Sequence, residues 1–213
     1  MSKTKLYLAI TLLAVILLNG CSLERIATQQ EKATGLWSEL ICGETFGQTF
    51  VSERDNLYRI DLSTATFART NSALVIFHLK EAPGSATDIR SIALPGSAIQ
   101  NERTTTFLFS PLPDSAGKSF YFSIESPEAR PGNAITVYAN NYDQYSGGTA
   151  YRNGAPVAGD LAFSAYSQDT FTLSSIMSDI ASRTAKDPTF FIFYGLFLLV
   201  VILGFIVALR KKA

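Results

Sequence analysis

The stretch "YANNYDQYSGGTAYRNG" (138–154) concentrates four tyrosines with amides, a carboxylate and a guanidinium. A sugar is held by aromatic faces laid against its C–H surfaces and by planar polar groups that meet its hydroxyls. Tyr138, Tyr142, Tyr145 and Tyr151 supply the first kind, and Asn140, Asn141, Asp143 and Arg152 the second. The same composition suits a turn-rich loop whose tyrosines cap a β-sandwich and whose asparagines make tight turns. Both readings stand on the residues alone. Asp143 and Asp160 are also candidate oxygen ligands for a structural calcium ion. No organic cofactor is expected.

Catalytic chemistry finds little to work with. "DSAGKS" (114–119) ends like a phosphate loop, but the glycine required five residues before Gly117 is Leu112, and a strand follows instead of a helix. His78 is the only histidine and sits within an apolar run. Without a second histidine, a Ser-His-Asp or Cys-His arrangement has few materials. The chain is expected not to be an enzyme.

Cys21 points to a different chemistry. "MSKTK" is a basic n-region, "LYLAITLLAVILL" is an apolar run too short for a comfortable span, and "LNGC" ends at Cys21. Leu18 and Gly20 stand where the bacterial lipobox has its leucine and small residue, so the resemblance implies a signal peptide over 1–20 and lipidation of Cys21. An uncleaved signal anchor is the alternative. At the other end, Phe190 to Leu209 carries no charge and is long enough to cross ~30 Å of hydrocarbon. Asp187-Pro188 opens it as an N-cap and first helical residue. Arg210, Lys211 and Lys212 follow and belong on the cytoplasmic side.

The elements that must position the tyrosine-rich loop read as β. Strands are expected near 48–51, 56–65, 73–80, 88–94, 105–110, 119–126, 134–140 and 160–167, with a hairpin at Asn153-Gly154. In "SFYFSIES", Phe120, Phe122 and Ile124 share one face, and Tyr121, Ser123 and Glu125 the other. The expected fold is mainly β: an antiparallel two-sheet β-sandwich with a C-terminal juxtamembrane helix and one transmembrane helix. The segments are a signal peptide (1–20), a linker or stalk that could hold a short helix (21–42), an extracytoplasmic sandwich (43–168), an amphipathic juxtamembrane helix (169–187), a transmembrane helix (188–209) and a basic tail (210–213). Leu173, Ile176, Met177 and Ile180 form the apolar stripe of the juxtamembrane helix.

The landmarks "DSAGK", "PGNAIT", "YSGG" and "NGAPVAGDLAF", with the strands upstream of them, resemble a β-sandwich module of bacterial envelope proteins. That module often accompanies multi-span membrane proteins of glycosyltransferase type. The resemblance covers roughly residues 43–167 and implies a jelly-roll, galactose-binding-like fold. No glycosyltransferase portion accompanies it here.

Charge narrows the partners. Of 18 basic residues, Lys3, Lys5, Arg210, Lys211 and Lys212 lie at the tips, whereas all 18 acidic residues lie between them. The acidic middle is a poor match for nucleic-acid phosphates. Cys21 and Cys42 make neither a disulfide framework nor a zinc site, and Cys42 is expected as a partly buried free thiol or one paired with another chain. The chain therefore reads as a protein of the cell (plasma or inner) membrane with its bulk extracytoplasmic. It would bind envelope glycan or a glycosylated substrate without catalysis. Alternatively it is an accessory subunit docked on a larger membrane-protein complex.

Overall fold

A computed structural model describes residues 21–171, together with 181–182, 189, 192–197 and 199. The chain divides into two units, one of Leu23–Asp169 and one of Met1–Ser22 with Thr170–Ala213. In chain order the strands are β1 (Cys21–Gln30), β2 (Gly35–Leu36), β3 (Thr45–Val51), β4 (Leu57–Ala65), β5 (Leu74–Lys80), β6 (Arg90–Pro95) and β7 (Arg103–Leu112). They continue as β8 (Ser119–Glu125), β9 (Thr136–Asn140), β10 (Ala150–Arg152), β11 (Ala155–Val157), β12 (Asp160–Leu161) and β13 (Phe163–Phe171).

These strands build two sheets. One has the order β11-β10-β3-β8-β5-β6. The other runs β1-β13-β4-β9-β12, with β7 also on β4 and β2 also on β9. The chain changes sheet at most connections between β3 and β10, as jelly-roll topologies do. The mainly β, antiparallel two-sheet sandwich expected from the sequence is what forms.

Period-2 alternation explains the layering. Phe46, Phe50, Phe77, Phe107, Phe122 and Phe163 all point between the sheets and are fully buried. Phe77 of one sheet stacks on Phe107 of the other with ring centroids 4.5 Å apart. Phe163 meets Phe122 edge-on at 5.3 Å. Each ring removes a large apolar area from water, and the offset and edge contacts add about 0.5–1.5 kcal/mol apiece.

The expected phase of β8 is observed for Phe120, Phe122 and Ile124. Tyr121 lies on the other face but is buried there too. Its ring lies against Gly47, where a Cβ would come within 2.3 Å of the Tyr121 oxygen. The edge of Tyr151 closes over it at 5.4 Å. Asn153-Gly154 makes the expected tight turn between β10 and β11, with φ of 52° and 75°.

Three expectations change. Residues 21–42, read as a linker or stalk, carry β1 and β2, and Leu40 is fully buried. β1 was hidden because it is an edge strand. Its apolar residues Leu23 and Ile26 stay exposed, so no clear alternation marks it. The span 160–167, read as one strand, is β12 and β13 with a break at Ala162. Cys42 is exposed, not partly buried.

The signal peptide, the apolar stripe Leu173–Ile180, most of the 188–209 segment and the basic tail lie outside the described residues. The part of 169–187 that is described begins with the end of β13. Ile192–Phe197 are helical, and Ile192, Phe193, Leu196 and Phe197 expose their side chains. No helix among the described residues is long and apolar enough to cross a membrane.

Candidate functional site

Asp160 organises the tyrosine-rich loop. It is fully buried at the start of β12, and one carboxylate oxygen accepts from the Gln48 side-chain amide at 3.0 Å. The other accepts from the backbone N–H groups of Gln144 and Tyr145, at 2.8 and 3.0 Å. Gln48 in turn accepts from Leu161 N–H at 3.0 Å. This set ties β3 of one sheet to β12 of the other and fixes the loop after β9. Both oxygens of the calcium candidate Asp160 are thus engaged with protein donors. Asp143 is exposed, and no group of three or more His, Cys, Asp or Glu side chains suited to a metal occurs among the described residues.

The eight residues singled out in 138–154 go to different places. Asn140 is buried, accepts from Tyr142 N–H at 3.0 Å and donates to the Lys32 carbonyl. Asn141 donates its N–H to Thr34 Oγ1 at 3.0 Å. Tyr142 projects into solvent, 69% exposed, beside exposed Asp143. Tyr145 folds inward: its ring meets Phe163 edge-on, and its hydroxyl accepts from Val51 N–H at 3.1 Å and from Thr28 Oγ1 at 3.3 Å. Gly148 lets the loop close on β3, since a Cβ there would stand 1.7 Å from the Thr49 carbonyl oxygen. Tyr151 lies on the outer face of the six-stranded sheet. Arg152 is held by Glu44 at 2.9 Å and by Ser38 at 2.6 Å. Tyr138 alternates with core residues Val137 and Ala139 and so lies on the outer face of the seven-stranded sheet. These residues do not share one concave surface.

A groove that the sequence did not reveal lies on that outer face. One cleft of about 310 Å³ is lined by Glu31, Asp61, Ser63, Thr104, Ser164 and Tyr166. An adjoining cleft of about 250 Å³ shares Glu31, Ser63 and Thr104 with it and reaches Tyr138, Glu102 and Arg103. Strand pairing sets this geometry. Asp61 pairs with Ser164 on one side and Thr106 on the other, while Arg59 pairs with Tyr166 and Ser63 with Thr104. From Tyr166 to Ala162 the groove follows the chain for roughly 13 Å, at about 3.3 Å per residue. Gln30 positions Glu31 by closing a turn on Lys32 from both ends of its amide, at 2.7 and 2.9 Å. A larger cleft of about 610 Å³ opens near β6 and β7, but no aromatic ring lines it.

The Tyr166 end of the groove is a charge network. The Arg59 guanidinium lies 3.7 Å over the Tyr166 ring, donates to Glu24 at 2.6 Å and stands 3.2 Å from Asp61. Burial alone would lower the Arg59 pKa, but Asp61, Tyr166 and Glu24 more than offset it and hold the pKa above its ordinary value. Burial pushes Asp61 above the usual aspartate range, against the opposing pull of the Thr106 hydroxyl and Arg59. Tyr58 donates to the Glu24 carboxylate. Burial first, and that carboxylate second, push its phenol up to about 12.

No protein-family model and no curated protein matches the chain. Among solved structures it is similar to a ruminal GH26 endo-beta-1,4-mannanase, with 10% identity and a TM-score of 0.32 over 69% of this chain and 22% of that one. It is also similar to the carbohydrate-binding module CBM36 in complex with calcium and xylotriose, with 9% identity and a TM-score of 0.28 over 55% of this chain and 94% of the module. A GH26-CBM35 beta-(1,4)-mannanase of Podospora anserina gives 11% identity and a TM-score of 0.28 over 56% of this chain and 26% of the other. Likeness this slight carries no ligand or activity across. The envelope-module resemblance has no family match behind it, and the sandwich rests on this chain's own strand pairing.

The groove had a partial signal in sequence. Arg59, Asp61 and Ser63 alternate with Ile60, Leu62 and Thr64, and Ser164 and Tyr166 alternate with Phe163 and Ala165. Each strand therefore announced a polar face. What was missing was that β4 lies between β7 and β13. That adjacency joins residues some 40 to 100 positions apart.

Proposed function

We propose that this chain is a non-catalytic β-sandwich that binds glycan along the outer face of its seven-stranded sheet, at an envelope membrane. The observation that carries the reading is the pair of joined clefts with Tyr166 at one end and Tyr138 at the other. Between the rings stand hydroxyls and carboxylates, which suit sugar hydroxyls, while the rings suit C–H faces. Tyr142, exposed on the loop that follows β9, is an additional stacking surface. Hydropathy of 190–209 and the Arg-Lys-Lys after it support a C-terminal span with a cytoplasmic tail. "LNGC" supports lipidation at Cys21. The sandwich unit starts at Leu23, so an acyl anchor at Cys21 would leave it almost no linker.

The test is retention of the full chain, in detergent, on immobilised envelope polysaccharide. Tyr138→Ala and Tyr166→Ala should each lower retention severalfold with the fold intact by circular dichroism, and the bound glycan should release no reducing ends. Unchanged retention in both variants would remove the groove as the site. Retention by no glycan, with a stoichiometric membrane protein co-purifying, would favour the accessory-subunit alternative.

A further inference from the structure

We infer that the end of the sandwich where β1 begins and β13 finishes is a bilayer-docking surface, so that the sandwich stands on end against the lipid. This rests on the membrane placement in the proposed function and adds which surface meets the membrane. β1 and β13 are neighbours in the seven-stranded sheet. Arg25 Nε meets Asp169 at 3.1 Å, and further along β1 Glu31 accepts from the Ser164 hydroxyl at 3.1 Å. One strand advances as the other recedes, so the two are antiparallel. Leu23 and Asp169, the limits of the sandwich unit, therefore lie at the same end of it. The chain before β1 carries the apolar run 6–18, and the chain after β13 carries the apolar run 190–209. Both apolar runs thus join the sandwich at one end.

The start of β1 suits that contact. Ser22 to Ile26 are exposed at every position, so both faces of this stretch stand clear of the core, which β1 joins at Ala27. Leu23 and Ile26 are 44% and 46% exposed. The linker is short under either reading of the N-terminus. Acylation puts lipid on Cys21 itself, and an uncleaved anchor leaves only Asn19 and Gly20 between its apolar run and β1. A headgroup layer is about 5–8 Å deep on each side of the hydrocarbon. Leu23 lies about 7 Å along the strand from Cys21, and Ile26 about 17 Å, at ~3.3 Å per residue. Leu23 therefore sits among the headgroups and Ile26 above them. The charges of the stretch are matched: Glu24 accepts from Tyr58 and Arg59, and Arg25 is held by Asp169. The stretch brings no unmatched charge against the headgroups. The other end is far off, since β4 runs from Leu57, opposite Ser167, to Ala65, about 26 Å away. Phe67, 41% exposed, lies just past Ala65. Trp37, the only tryptophan, donates its N–H to Val137, the strand partner of Thr64 at that far end. The groove then runs along the bilayer normal, with Tyr166 nearer the lipid than Tyr138.

Tryptophan quenching by lipid brominated near the headgroup end of its acyl chains reads this orientation, with the full chain reconstituted in phosphatidylcholine vesicles. Trp37 stays in place as the distal reporter, and one tryptophan is added by Leu23→Trp, Ile26→Trp or Phe67→Trp. The ring added by Leu23→Trp should lose most of its emission and that of Ile26→Trp much less. The ring of Phe67→Trp and Trp37 itself should lose almost none. All three substituted side chains are exposed, and Ser22→Trp, at an exposed position next to Leu23, reads the same depth if Leu23→Trp fails to fold. Equal quenching of Leu23→Trp and Ile26→Trp would lay β1 flat on the bilayer and overturn the end-on inference. Stronger quenching of Phe67→Trp would put the opposite end on the lipid and overturn it as well. Quenching of none of these rings, in chains that float with the vesicles, overturns the docking surface and leaves membrane attachment standing. Chains that do not float with vesicles overturn the membrane placement itself and this inference with it, whereas the polysaccharide retention of Tyr138→Ala and Tyr166→Ala decides separately whether the groove binds glycan.

Discussion

At Asp160 one carboxylate does three structural jobs, receiving Gln48 from the opposite sheet and two N–H groups from the loop after β9. Asp160→Asn keeps the shape but turns one acceptor into a donor that faces other donors. It should cost about 3 kcal/mol in urea unfolding and raise protease cleavage within 141–149. Tyr58 gives a second residue-scale prediction. Its folded-state pKa is raised to about 12, whereas an unfolded phenol titrates near ~10. The neutral phenol is favoured by the fold, so this stability is present below pH ~10 and is lost as pH rises towards about 12. Tyr58→Phe should flatten the alkaline fall in melting temperature without abolishing it, because burial also raises Tyr121. An unchanged alkaline slope would mean that Tyr58 is not the group responsible.

At the scale of elements, β8 was legible and β1 was not, for one physical reason. A strand between two neighbours must fill the inter-sheet space on alternate residues, and Phe120, Phe122 and Ile124 do so. An edge strand needs only to complete hydrogen bonds, so "LERIATQQ" carries few core residues and looked like a stalk. The outer face of β8 was legible only in part. Tyr121 is on it as expected, but alternation could not foretell that Gly47 and Tyr151 would bury it. Phe122 touches Phe50, Phe77 and Phe163, drawn from both sheets. Phe122→Ala should therefore destabilise the sandwich by about 3–5 kcal/mol in chemical denaturation. A change below about 1 kcal/mol would contradict a role at the centre of the core.

At the scale of the molecule, the candidate site shows what a local window misses. The tyrosine cluster at 138–154 was dense in sequence but is dispersed in space, since Tyr138 and Tyr151 occupy outer faces of different sheets and Tyr145 turns inward. The groove is the reverse: Glu31, Asp61, Thr104 and Ser164 are far apart in sequence and gathered by strand order. Glycan at the envelope requires the sandwich to lie outside the cytoplasm, and Cys42 makes that testable without an added label. Its thiol is exposed on the sandwich unit. A membrane-impermeant maleimide applied to intact spheroplasts should therefore label Cys42, and Cys42→Ser should remove that label. If the tail is cytoplasmic, as proposed from the basic residues beside it, a cysteine placed at Ala213 by Ala213→Cys, in the Cys42→Ser background, should react only after permeabilisation. Labelling of the Ala213→Cys thiol in intact spheroplasts would reverse the orientation. Protection of Cys42 until lysis would place the groove in the cytoplasm, out of reach of any envelope polysaccharide.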